Sequence, residues 1–468
     1  MAALLQRIAP GELRPLLFTT GLAAAGAVAY TFSAYELTPL AFPAAMIAVA
    51  FVTVAFVRPA WGVAGALAAV PLETVRLPLA SGGLSPAESA LALLAAVWAV
   101  KLVVQPETVR GPALRDLPVI ALLLIIAAGL VQAFEPAVVL RVFVFWTLFY
   151  FVYLLAQGFT PAEIRLVVIA FVVGTGILGA VGAVIYLQSG SAGVLAGGAV
   201  TTERAVGTFV DPNYFASLIN LGVLPGLALA IANFRRDGWL LIPAAAGMLG
   251  VLFSLSRGGI AGLVLGLIVL LLWARARWIA LVLVTLFAAT TVLSTNPIVK
   301  SDQFGVVEER LESITGPGLK QSQTNRRPLV WGFAAELANE SPFIGVGVNQ
   351  FKVEAGKRGI YERDGPLENA HSVIFSLAAE TGYVGLAAFV CFLVQLGARS
   401  LRGLSTKSTT RYALSLGLGA ALVAFFVQGL VVVQLRTQIV AGAFFLVAGL
   451  ITGLADRAAK ESEEKAAS

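Results

Sequence analysis

The chain contains one histidine, His371, standing after the polar run Glu368-Asn369-Ala370 and at the head of an apolar run over 372–379. A neutral imidazole with an ordinary pKa of about 6.5 is a ready proton acceptor near neutral pH. The structural alternative is an interfacial histidine bonded to a backbone carbonyl, and spacing alone leaves both open. Arginine supplies the second kind of chemical group. Arg257 lies in Ser254-Leu255-Ser256-Arg257-Gly258-Gly259, between two apolar runs, where glycines permit close backbone approach. An ionised arginine near membrane depth is costly and marks function unless it snorkels from a helix end. Arg326 and Arg327, followed by Pro328, open a predicted helix whose free N–H groups and guanidinium groups would converge on an anion; the alternative is a solvated loop end. Arg204 precedes Asp211 and Asn213, which read as a helix N-cap pair rather than as catalytic groups. With only Cys391 and His371 of their types, the chain builds neither a disulfide nor a His/Cys metal cluster, while a carboxylate-bound magnesium stays open.

A membrane bundle must position these residues. Hydrophobic residues make up 58% of the 468 and charged residues 12%, with a mean hydropathy of +0.88, which excludes a water-soluble globule. Open sheets leave backbone groups unpaired in hydrocarbon, so the spans are helices. Apolar runs near bilayer length predict an all-α polytopic membrane protein of about 12–14 transmembrane helices, near 15–34, 40–57, 60–78, 86–104, 117–134, 140–157, 163–188, 213–234, 238–255, 258–274, 277–295, 371–397, 412–433 and 437–455. The third is the weakest, because Glu73 and Arg76 fall inside it and Pro71 and Pro78 interrupt it. Arg7 and Arg14 precede the first apolar stretch, which reads as a retained span rather than a cleaved signal peptide.

Short basic clusters set the orientation: Arg58; Lys101 with Arg110 and Arg115; Arg165; Arg235-Arg236; Arg275 with Arg277; Arg399 to Arg411; and the tail after Arg457 all fall on one side. That side is expected to be cytoplasmic, with both termini, so the net charge of +6 reflects membrane orientation and implies no nucleic-acid partner. The opposite side receives 189–212, 256–259, 296–370 and 434–438. The predicted organisation is therefore 1–295, eleven spans; 296–370, a helical loop subdomain; 371–455, three spans; and 456–468, a tail. The loop holds nine basic and ten acidic residues. It contains an amphipathic helix over 302–314, with Phe304, Val307, Leu311 and Ile314 on one face, and a second helix over 328–339. His371, Arg204, Arg257, Arg326 and Arg327 then face one compartment at one depth, a set that suits a diphosphate.

The spacing His371-Ser372, nine residues, Gly382-Tyr383-Val384-Gly385 resembles the histidine pattern of O-antigen ligases. The segment from Arg326-Arg327-Pro328 through Trp331 to Ser341-Pro342-Phe343-Ile344-Gly345-Val346-Gly347-Val348-Asn349-Gln350-Phe351 is similar to the loop leading to it in the O-antigen ligase and polymerase superfamily. Gly207-Thr208-Phe209-Val210-Asp211-Pro212-Asn213 and Ser256-Arg257-Gly258-Gly259 are similar to two further blocks. The likeness covers about 200–390. It implies a GT-C-related membrane architecture and an undecaprenyl-diphosphate-linked glycan donor. It also implies an acceptor hydroxyl on lipid A–core or on a lipid-linked glycan, with metal-independent inverting transfer at the periplasmic face of a bacterial inner membrane, without a cofactor. Its catalytic histidine maps to His371 and its functional arginines to Arg257 and to Arg326 or Arg327. Ala261 stands where the ligases carry a leucine four residues after the arginine, a departure that weighs against ligase more than against the superfamily. A polymerase, which joins lipid-linked repeats by the same chemistry, is the near alternative. A transporter or channel is the distant one, since it predicts ionisable groups at mid-membrane rather than at one face.

Overall fold

The computed structural model describes residues 41–72, 85–106, 109–189, 205–209, 211–271, 327–362 and 365–467. The expected spans 15–34 and 277–295, the amphipathic helix 302–314, Arg204 and Arg326 lie outside the described residues.

The chain is an all-α, multi-pass membrane protein. In order its helices are α1 (Ala41–Val57), α2 (Pro59–Ala68), α3 (Pro86–Val104), α4 (Leu117–Ala128), α5 (Pro136–Gln157), α6 (Pro161–Ser189), α7 (Pro212–Ala232), α8 (Leu241–Phe253), α9 (Arg257–Leu271), α10 (Arg327–Glu340), α11 (Phe351–Lys357), α12 (Val373–Gly403), α13 (Thr409–Gly429) and α14 (Gln438–Ala467). Among the described residues nine helical segments are long and apolar enough to cross a bilayer, and α9 is a shorter apolar helix. A two-residue antiparallel pair, Tyr361–Glu362 with Gly365–Pro366, closes the turn after α11.

Helix starts follow local chemistry. Ser85 and Glu88 form a reciprocal capping box, with Pro86 at the first helical position of α3. Asp211 caps α7 as its pattern predicts, accepting the Asn213 N–H at 2.6 Å. The expected third span does not run to residue 78 as one helix. α2 stops at Ala68 and a 3-10 turn over Val70–Leu72 follows, because Pro71 has no N–H to continue an α-helical ladder.

α7 and α14 are buried on nearly every side and form the centre of the bundle. α13, α6 and α8 pack on α7, and α5 and α12 pack on α14. An aromatic seam of Phe392, Phe425, Phe444 and Phe445 fills the space between α12, α13 and α14, with Phe425 stacked on Phe444 at 4.8 Å. A separate small core of Val330, Phe333, Leu337, Phe351 and Leu367 seats α10 and α11 on the first turns of α12.

Candidate functional site

Two sequence blocks far apart in the chain meet at one end of the bundle. The turn before α9 places Leu255 in the left-handed region at φ +50°. Ser256 Oγ accepts the Gly259 N–H at 3.1 Å and donates to Asn213 Oδ1 at 2.8 Å. Gln428 Nε2 donates to the Asn213 carbonyl at 2.8 Å, and Asn220 Nδ2 to the Gly259 carbonyl at 2.9 Å. A Cβ on Gly259 would lie 2.5 Å from the Ala216 Cβ, so only glycine lets α9 start this close to α7. Arg257 is thereby fixed at the first position of α9, where the helix dipole favours an anion.

Arg327 likewise opens α10. Its pKa is pushed below the ordinary arginine range first by partial burial and then by the positive charge of Arg257. Two helix starts, each headed by an arginine, therefore lie close enough for their charges to interact. One turn along α10, Trp331 donates from Nε1 to the Ala370 carbonyl at 3.0 Å and stacks on Phe375 with centroids 5.0 Å apart. That contact ties the Arg327 end of α10 to the turn carrying His371.

His371 itself has φ +49°, a left-handed conformation that costs a non-glycine residue about 1–3 kcal/mol and persists only where the surroundings impose it. Its N–H donates to Asn369 Oδ1 at 2.8 Å, and Ser372, in extended conformation, starts α12. On the side of this turn, Arg436 donates from Nη1 to the Glu368 carbonyl at 2.6 Å, and Lys352 Nζ pairs with Glu368 Oε1 at 2.9 Å. The Lys352 hydrogen bond, with the charges of Lys352 and Arg436, holds the Glu368 carboxyl below the usual carboxylate range.

The glycines of the histidine spacing have a structural reason. Gly382 has φ +69° and breaks α12 about two and a half turns after its start at Val373. A Cβ there would meet the Pro342 carbonyl oxygen at 2.6 Å, because the loop after α10 lies against the break. Val346 and Gly347 donate to the Ala379 and Glu380 carbonyls at 3.0 and 3.1 Å, and Tyr383 donates to the Pro342 carbonyl at 2.7 Å. The buried Glu380 carboxylate accepts backbone N–H groups of Asn349 and Phe351. These contacts hold the loop against α12.

Residues 240–390 match the O-Antigen ligase family. Over this stretch, about a third of the chain, the sequence is similar to that family. The matched residues run from the start of α8 through the break in α12, and so contain Arg257, Arg327, His371, Gly382 and Gly385. Among curated proteins, none matches the chain. The likeness supports a membrane glycosyltransferase-like function in O-antigen assembly. The site also contains Arg436, which sequence reasoning passed over. The signal was present: Arg436 sits in the short turn before the last span, on the side opposite the basic clusters that set orientation.

Proposed function

We propose that the chain transfers a glycan from an undecaprenyl-diphosphate carrier to a sugar hydroxyl of an acceptor, with Arg257, Arg327 and His371 as the working groups. The observation that carries this reading is the convergence of two arginine-headed helix N-termini beside the strained His371 turn. The acceptor oxygen attacks the anomeric carbon of the donor glycan as the bond from that carbon to the diphosphate oxygen breaks. The electron pair leaves with the diphosphate. Fixed guanidinium and N–H groups stabilise that charge as it develops, without reorganising at the moment of reaction. The imidazole of His371 takes the hydroxyl proton, or orients the hydroxyl for attack. Arg326, beside Arg327 in sequence, and Arg204 are further candidates for the diphosphate. The reaction in this reading needs no metal, inverts the anomeric centre, and runs at the periplasmic face of the inner membrane with both termini in the cytoplasm.

The histidine spacing favours ligation to lipid A–core. Ala261 in place of leucine favours the second reading, a polymerase that joins one lipid-linked repeat to another. Purified protein in lipid nanodiscs, given lipid-linked glycan and each acceptor in turn, separates them: product grows on lipid A–core for a ligase and on the carrier for a polymerase. No product on either acceptor would reject glycan transfer.

A further inference from the structure

A cavity of about 310 Å³ lies between the ends of α5, α12 and α14 that are nearest the His371 turn. Its walls combine Arg141, Trp146, Asn369, Ser376, Glu380 and Arg436. Ser376 is 3% exposed, lines the cavity, and its hydroxyl has no hydrogen-bond partner among the described residues. A buried hydroxyl without a partner costs about 1–3 kcal/mol, and a polar ligand in the cavity would supply one.

The cavity and the arginine pair approach the His371 turn from different directions. At 100° per residue, Val373, Ser376, Leu377 and Glu380 share one face of α12, and all four line the cavity. Phe375, on the opposite face, stacks on Trp331 of α10, the helix headed by Arg327. Asn369, whose Oδ1 holds the His371 N–H, lines the cavity, and Arg436 reaches from it to the Glu368 carbonyl. Displacement at a sugar carbon places the entering oxygen opposite the leaving group, so a group bound on the α10 side calls for a second substrate on the other.

Exposed residues of α5 border the cavity. Arg141 is exposed, with its guanidinium 5.9 Å from the Phe145 ring, and its neighbours on α5, Leu140 and Val144, are 49% and 46% exposed. We propose that this cavity holds the glycan head of the acceptor lipid: Trp146 gives a flat face for a sugar ring, Ser376, Asn369 and Glu380 meet hydroxyls, and Arg141 and Arg436 meet the anionic group. The assignment rests on the glycan-transfer reading above and adds to it where the acceptor sits. Two lipids share that chemistry, a lipid A–core glycolipid and a diphosphate-linked glycan.

The test uses full-length protein in nanodiscs, with purified lipid A–core, undecaprenyl-diphosphate-linked glycan and undecaprenyl diphosphate as separate probes. Ser376→Phe fills the cavity, and Arg141→Ala removes an exposed side chain that folding does not need. If lipid A–core is the acceptor, Ser376→Phe weakens its binding about tenfold and Arg141→Ala by about threefold, with undecaprenyl diphosphate unchanged. If the linked glycan is the acceptor, its stoichiometry falls from two per protein to one. Binding of both glycan lipids unaltered in both variants, or loss of undecaprenyl diphosphate instead, overturns the assignment. Ser376-dependent binding by a wild-type protein that transfers nothing keeps the cavity as a glycolipid site and rejects the transfer reading.

Discussion

The two ends of the bundle use arginine in different ways. At one end several arginines join the helices through carboxylates: Arg110 and Arg115 share Asp456, Arg165 pairs with the fully buried Asp237, and Arg411 pairs with Glu461. These contacts join loop to helix end and fasten the helices to one another. At the other end Arg257 and Arg327 stand near enough for one charge to depress the pKa of the other, each at a helix N-terminus that adds positive potential. Like charges gathered in this way weaken the fold unless an anion joins them. In the proposed reading the first end serves stability and the second a ligand, although both are made of the same residue.

That contrast can be broken by substitution at either end. The largest effect is expected for His371→Ala, which should lower glycan transfer by about 10²–10⁴ while leaving thermal unfolding of the purified protein within a few degrees of wild type. Transfer at the wild-type rate would remove His371 from the mechanism. Arg165→Ala should do the reverse: it strands the buried Asp237 carboxylate and costs about 3–5 kcal/mol of stability, read by unfolding in detergent, with activity per folded molecule retained. Arg257→Lys keeps the charge and loses the planar fork, so undecaprenyl diphosphate should bind about 10-fold more weakly with stability unchanged. Equal affinity would dissolve the distinction between the ends.

The smallest effect is expected at Lys352→Ala. The Lys352–Glu368 pair is half-exposed, and its loss should change stability by less than about 1 kcal/mol. Its pH dependence has a definite sign. The Glu368 pKa is lower in the folded state than in the unfolded chain, so the contribution is present above the unfolded value of about 4.3 and fades as pH falls through the folded value. In Lys352→Ala the unfolding midpoint should therefore differ from wild type at pH 7 more than at pH 3.

Much of the fold was readable because lipid imposes a simple rule. The expected span 86–104 is α3 to the residue, and the loop helix expected over 328–339 is α10, Arg327–Glu340, bounded by Pro328 and by Ser341-Pro342. The expected span 371–397 becomes Val373–Gly403, interrupted at Gly382, since no hydropathy pattern records a backbone twist forced by a loop packed against a helix. In the site, Arg257, Arg327 and His371 were legible by type and spacing. Arg436 was overlooked because it lies in a short turn with no motif around it.

By itself the sequence determined the solvent and the helical class, and it singled out a histidine and arginines as candidates for the chemistry. Those depend on composition and period, which are local. Only the tertiary structure decided that Ser256 would bond to Asn213, that Trp331 would carry Arg327 to the His371 turn, and that a cavity would open on the far face of α12. These are contacts between residues tens to hundreds of positions apart, fixed by how helices approach, and nothing in the local pattern of either partner states them.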